Sequence, residues 1–403
     1  MSASAPLPGR APATVLLVAA VCLVAANMRP TITALGPLLD EVQADTGLAT
    51  ATLGVLAAVP LLTWAAVSPF AHRLSARFGL SRVVLWSLLV LALGTLVRSL
   101  PGPTVGLWLG TAIIGVALAV ANVLMPAVVK RDFPHRTPLV MAVYTSLLGG
   151  VGAVASGVAV PLSHLELAGG EAGWRVSLAV TGLALLPVAV GVWVLAQRPT
   201  GSAPPAPRGG ARRGMWRDAV AWQVAAYMGL QSAVFYMTLT WLAAISVSAG
   251  RGAVVAGYDV MLFQLCALVG APLVPLVFRG RLARVVPAVI PVFAVVGVVG
   301  LLVSPGAAIP LWAGAIGLTS GASLGMALTL VAVRARDAGS ATALSGMAQS
   351  VGYLLAATGP AAFGSLHAAT RGWSASLVLL LATVLLLAGT GVAVGRDRSV
   401  GDR

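Results

Sequence analysis

The sequence predicts an all-α integral membrane protein with twelve transmembrane helices. Three observations carry that reading. The chain has 403 residues, 59% hydrophobic and only 9% charged, with a mean hydropathy of +0.96. A soluble domain is about a quarter charged, so composition removes both an ordinary globule and a disordered chain. The apolar residues fall in runs of about 20 or more, the length that crosses a bilayer. The net charge of +14 sits mostly in short polar connections between those runs, as loop charges do in membrane proteins.

The expected spans are 13–38, 49–71, 82–100, 104–129, 138–162, 174–197, 218–246, 253–278, 284–303, 307–333, 340–365 and 373–395. Span one ends its first apolar stretch in small residues, as a secretory signal does. Eleven further spans follow it, so it is expected to be retained. Pro30 and Pro37 interrupt it, because proline has no N–H for the carbonyl four residues back. Spans two and four end in basic turns, at Arg73 and at Lys130-Arg131-Asp132. Span five carries Gly149-Gly150-Val151-Gly152, and span six opens on Gly173-Trp174. Residues 198–217, rich in Pro, Gly, Ser and Arg, read as a linker. It divides the chain into two bundles of six spans, 1–197 and 218–403. Span ten repeats a small residue every four positions, Ala313, Gly317, Gly321 and Gly325. That pattern predicts a helix-packing seam.

Orientation follows from the basic residues. With the amino terminus in the cytoplasm, 20 of the 25 Lys and Arg fall in cytoplasmic segments. Arg98, Arg175, Arg251 and Arg371 fall outside, and Arg29 lies within span one. Both termini are therefore expected in the cytoplasm, with the protein in the cell membrane. The basic loops account for the charge without a nucleic-acid partner and are free to touch anionic lipid. The two halves also echo each other at an offset of about 200. Arg82-Val83-Val84 matches Arg284-Val285-Val286, and Arg131-Asp132 matches Arg336-Asp337. Pro161 matches Pro360, and Gly173-Trp174 matches Gly372-Trp373. Two parallel six-helix repeats describe the major facilitator fold, with a substrate site near the midplane between pseudo-symmetric bundles.

An Arg at a helix centre costs about 2.5–3.5 kcal/mol to insert, so Arg29 needs a reason. Either it binds a solute's negative or electron-rich end beside the broken helix, or it pairs with an internal carboxylate. Asp259, in span eight, is the other charge well inside a span. It is a possible coupling residue, a partner for Arg29, or a residue of the outer vestibule. Candidate hydrogen-bonding residues for the solute are Asn27, Asn122, Tyr144, Gln231, Tyr236, Gln264, Gln349 and Tyr353. Ser232, Tyr236 and Thr240 share one helix face, as do Ser345, Gln349 and Tyr353. Each such polar residue has a competing role in tying helices together.

The motifs resemble the cyanate and nitroimidazole permease branch of the major facilitator superfamily. The match is carried by Asn27-Met28-Arg29-Pro30 with Gly36-Pro37-Leu38-Leu39, and by Ala121-Asn122-Val123-Leu124-Met125-Pro126. It continues in Gly229-Leu230-Gln231-Ser232 and in Ser345-Gly346-Met347-Ala348-Gln349-Ser350. The resemblance implies secondary transport of a small polar or anionic solute by a monomer, with Arg73, Arg77 and Gly79 in the gating loop. Ala76-Arg77-Phe78-Gly79 lacks the acidic residue typical of that loop. A multidrug or metabolite exporter of the same superfamily is the alternative.

A membrane-embedded enzyme needs a carboxylate pair, a histidine cluster or an activated nucleophile at depth, and none is legible. A channel or a non-transporting sensor fits the two-fold repeat poorly. No cofactor and no metal are expected. Cys22 and Cys266 read as small buried hydrophobes.

Overall fold

The structure, a computed structural model, describes residues 10–167, 169–196, 215–277, 283–306, 308–336, 338–396 and 399–400. The expected linker lies outside the described residues except for its last three positions. All twelve expected spans are helical. Span one is α1 (Arg10–Met28), α2 (Pro30–Thr33), a 3-10 turn at Gly36–Leu38 and α3 (Leu39–Thr46). Spans two to five are α4 (Thr50–Phe78), α5 (Leu80–Ser99), α6 (Val105–Asp132) and α7 (Thr137–Ser163). A hairpin of two-residue strands, β1 (Glu166–Leu167) and β2 (Gly170–Glu171), then leads into span six. Span six is two helices, α8 (Gly173–Leu183) and α9 (Leu186–Ala196), rather than the single one expected. Pro187 cannot donate to the carbonyl of Leu183, and the helix is interrupted there. Spans seven to twelve are α10 (Ala219–Ser248), α11 (Ala253–Val277), α12 (Val286–Val303), α13 (Ile309–Arg334), α14 (Ala338–Thr370) and α15 (Ser374–Gly395).

Eleven stretches of the described chain are long and apolar enough to cross a membrane. The 33-residue α14 is not among them. Gln349, Tyr353, His367 and many Gly and Ser dilute its apolar content. It packs against α4 and α10, so it is screened by protein on two sides. A mid-bundle helix needs less apolar surface than one bathed in lipid.

The span-ten seam packs as expected. Helix α13 lies directly on α11, and a Cβ added at Gly317 or Gly321 would overlap the carbonyls of Phe263 and Ala267. Only residues without a side chain permit that approach.

Helices from the first six spans close on helices from the last six at the end of the molecule away from the chain termini. A Cβ at Gly36 would stand 2.5 Å from the Leu239 carbonyl, and one at Gly54 2.5 Å from that of Pro360. Gln264 on α11 donates to Ser156 on α7 (2.5 Å), and Ser156 donates to the carbonyl of Thr33 (3.1 Å). Aromatic packing seals the same end. Trp241 stacks on Phe363, packs against Trp373, and donates its indole N–H to the Pro360 carbonyl (3.1 Å).

Candidate functional site

The site begins with the break in span one. Pro30 removes one donor from the helix, and the chain tightens after it. The amides of Ile32 and Thr33 both turn back to the Arg29 carbonyl at 3.0 Å. The interruption leaves carbonyls that a regular helix would use. That of Thr31 is taken by Arg98 (2.6 Å), and that of Thr33 by Ser156. Thr33 in turn donates to the Gly152 carbonyl (2.7 Å), which ties the break to α7.

Arg29, half-buried, leaves this break toward the helices of the second half. Its Cβ packs on α7, where a Cβ at Gly152 would come within 2.8 Å. Its guanidinium lies over the Phe235 ring, 5.8 Å from the centroid. That is within cation–π range. Phe235 packs edge-on to Tyr236 (centroids 5.2 Å), Tyr144 reaches Met28 beside Arg29, and Tyr236 and Tyr353 meet on the Trp64 ring. Among the described residues no carboxylate pairs with Arg29. The structural alternative, an internal ion pair, is thus not the arrangement found.

Asp259 has other partners. Arg251 holds it through two hydrogen bonds of 2.9 Å, and Ser246 donates to it at 2.5 Å. It is 2% exposed. An acid two turns from the end of its span is within reach of an Arg in the preceding connection, and that local geometry wins over the distant Arg29.

The remaining candidates divide. Tyr144, Tyr236 and Tyr353 gather about Arg29, from α7, α10 and α14. Tyr144 also donates to the sulfur of Met28 (3.2 Å). Asn27 is buried and spends its amide on the Leu23 carbonyl of its own helix (2.7 Å). Asn122 is half-buried on α6. Gln349 bonds Ser345 one turn back (3.0 Å). Gln231 bonds Ser232 and lines a small cavity with Pro291, Ser320, Ser323 and Leu387. That cavity lies inside the last six spans. Gln264 is committed to the closed end. Arg73 and Arg77 were expected in the loop after span two, but nothing before Gly79 stops α4, which runs on through Phe78 and carries both. They lie over Phe70 and Phe78, and Gly79 turns at φ +89°. An L side chain rarely adopts that φ.

Two residues escaped sequence reasoning. Trp64, on α4, sits edge-on to Tyr353 (centroids 5.2 Å) and Tyr236 (6.2 Å). It is 3% exposed, and its indole N–H has no acceptor among the described residues. A tryptophan in an apolar span carries no signal of its own, and only the two tyrosines on distant helices reveal it. Arg98 was expected in an outer segment. It is instead in the last turn of α5, 2% exposed, and reaches inward to Thr31.

The profile of the Major Facilitator Superfamily matches residues 16–357. The 2-nitroimidazole transporter of Escherichia coli is 38% identical over 389 residues, which cover 96% of this chain and 97% of that protein. The cyanate transport protein CynX of Escherichia coli is 28% identical over 344 residues, covering 84% and 86%. A crystal structure of a bacterial homolog of the human lysosomal transporter Spinster shares the fold. Its TM-score is 0.80 at 15% identity, over 96% of this chain and 98% of that one.

Proposed function

The chain belongs to the major facilitator superfamily and is a multi-pass membrane transporter, and from that premise we propose that it carries a small, flat, polar or anionic solute anchored on Arg29. The observation that carries this reading is a cation in the middle of span one that lies over Phe235, beside the tyrosines packed on Phe235, Met28 and Trp64, with no carboxylate partner among the described residues. A guanidinium offers several N–H donors in a planar fork and prefers planar oxyanions. A cyanate ion and a nitro group both present electron-rich terminal atoms to such a fork. The solutes named for the two relatives thus share one chemistry that Arg29 suits.

In this reading Tyr144, Tyr236 and Tyr353 make the first hydrogen bonds to the solute, and Trp64 adds an N–H. Asn27, Asn122 and Gln349 form the surrounding polar set. Gln231 and Gln264 are assigned to helix packing and to closure. Bundles 1–197 and 218–403 rock about the site, joined by the linker 198–217. Arg73 and Arg77, near the end of α4, and Gly79 just after it form the gate that moves with the cytoplasmic opening. Asp259 is the candidate coupling acid, since a proton on it would release Arg251. An Asp259→Asn variant is then expected to lose its response to a proton gradient while still binding solute.

We take both termini as cytoplasmic, the protein as a monomer, and the cell membrane as its location. The clustering of basic residues supports the orientation. The alternative is export of a larger drug or metabolite, and solute size decides between the two.

The test is a thermal-shift titration of purified wild type and Arg29→Ala with cyanate, nitroimidazoles and small carboxylates. A ligand that binds the folded state raises the Tm with concentration. A shift in wild type that vanishes in Arg29→Ala is expected. A shift of equal size in both proteins overturns the assignment of Arg29.

A further inference from the structure

We propose that Arg98 is a specificity-determining residue: from behind the break in span one it makes the solute site select anions. The inference rests on the placement of Arg29 at that site under Proposed function.

Two cations converge on one short segment. Arg29 immediately precedes α2, and Arg98 reaches Thr31 inside it. Arg98 is 2% exposed, with one guanidinium nitrogen on the Thr31 carbonyl and Nε and Nη2 without partners. The Thr31 hydroxyl is also buried and unpartnered. No carboxylate pairs with Arg98 among the described residues. An unpaired buried cation is costly, and one hydrogen bond to a carbonyl offsets little of that cost. The fold retains it at the one place in the first half where a helix is broken beside the solute.

Its effect there is electrostatic and has two parts. A helix interruption normally exposes carbonyl oxygens, which attract cations and repel anions. Here the Thr31 oxygen is covered by Arg98 and the Thr33 oxygen by Ser156. Two of the carbonyls after the break that sodium could coordinate are therefore occupied. The unbalanced charge of Arg98 also adds a positive potential through a region of low dielectric, where it is weakly screened. Arg98 does not touch the solute. It is a positioning residue that biases the sign of what Arg29 binds.

The experiment compares matched acid and amide probes, formate with formamide and 4-hydroxybenzoate with 4-hydroxybenzamide. Affinities come from thermal-shift titration of the full-length protein in detergent. The variants are Arg98→Gln, which removes the charge, and Arg98→Lys, which keeps it. We expect Arg98→Gln to lower the acid-to-amide affinity ratio by roughly tenfold, the size for a charge about 10 Å away at an effective dielectric of about 20. Arg98→Lys is expected to keep the ratio even where both affinities fall. An unchanged ratio in Arg98→Gln makes Arg98 a structural clamp and overturns the proposal. So does a ratio lost in Arg98→Lys, which serves as the test if Arg98→Gln does not fold. A wild type with no acid preference overturns this inference together with an anionic solute at Arg29. A wild-type preference that survives Arg98→Gln overturns this inference alone.

Discussion

Spans one and seven open the two halves of the repeat, yet they have opposite characters. Span one is broken by Pro30 into α1 and α2, tightens again into a 3-10 turn, and holds Arg29 at the break. Span seven is one 30-residue helix, α10, with no interior proline and no charge after its cap. Asp218 starts it by accepting from the amides of Val220 and Ala221. Most side chains along α10 are buried, and it contributes Tyr236, buried, and Phe235, half-buried, to the wall facing Arg29. Spans one and seven are therefore equivalent positions in the repeat, and of the two only span one is broken. A continuous helix holds rings in place at little cost. A broken one frees backbone groups and holds a cation where a plain helix would bury it at a penalty.

The largest effect should come from removing the cation on the broken side. Arg29→Ala is expected to weaken solute binding by about 100-fold or more, as loss of a buried charged partner typically does. Its Tm should fall little, because no carboxylate is left unpaired. A radiotracer uptake assay beside a melting curve checks both. Repairing the break is the next sharpest test. Pro30→Ala restores a donor for the Ala26 carbonyl and should raise the Tm while lowering uptake by about tenfold, since proline costs a helix about 3 kcal/mol. Unchanged uptake in that variant would remove the break from the mechanism.

Away from the break the effects should be smaller. Trp64→Phe keeps a ring against Tyr236 and Tyr353 but deletes the orphan N–H. One neutral hydrogen bond contributes about 0.5–1.5 kcal/mol, so a loss of roughly threefold to tenfold in solute affinity is expected by titration. Equal affinity would mean that the N–H only faces a tyrosine ring. Gln231→Ala, on α10 but facing the inner cavity, should leave affinity within about twofold and show its effect in stability alone. A large binding defect there would extend the site into the cavity inside the second bundle.

Much of this was legible in the residues. Apolar runs located all twelve spans, and Asn27-Met28-Arg29-Pro30 located the break. The glycine period in span ten announced its seam. What the sequence concealed depends on direction rather than position. Gln231 and Tyr236 lie five residues apart on one helix, and only packing shows that one faces a cavity among spans of the second half and the other faces Arg29. Asp259 was one possible partner for Arg29 because both were isolated charges. The pairing of Asp259 with Arg251 follows from a short turn that no periodicity describes. Arg98 was read as a loop charge because it closes its helix, and its long side chain folds back into the protein instead. Trp64 had no polar neighbour in sequence to mark it.

The contact of Gly54 with Pro360 has a practical consequence for trapping the protein in a chosen shape. The helices meet there with no room for even a methyl group. A bulky residue in place of Gly54 acts as a wedge at the sealed end. Gly54→Leu should hold that end ajar and drive the end that carries the chain termini shut. Cysteine-accessibility labelling of positions near Pro360 would read the change directly. Such a locked form would serve as an antigen for raising binders that tell one state of the transport cycle from the other.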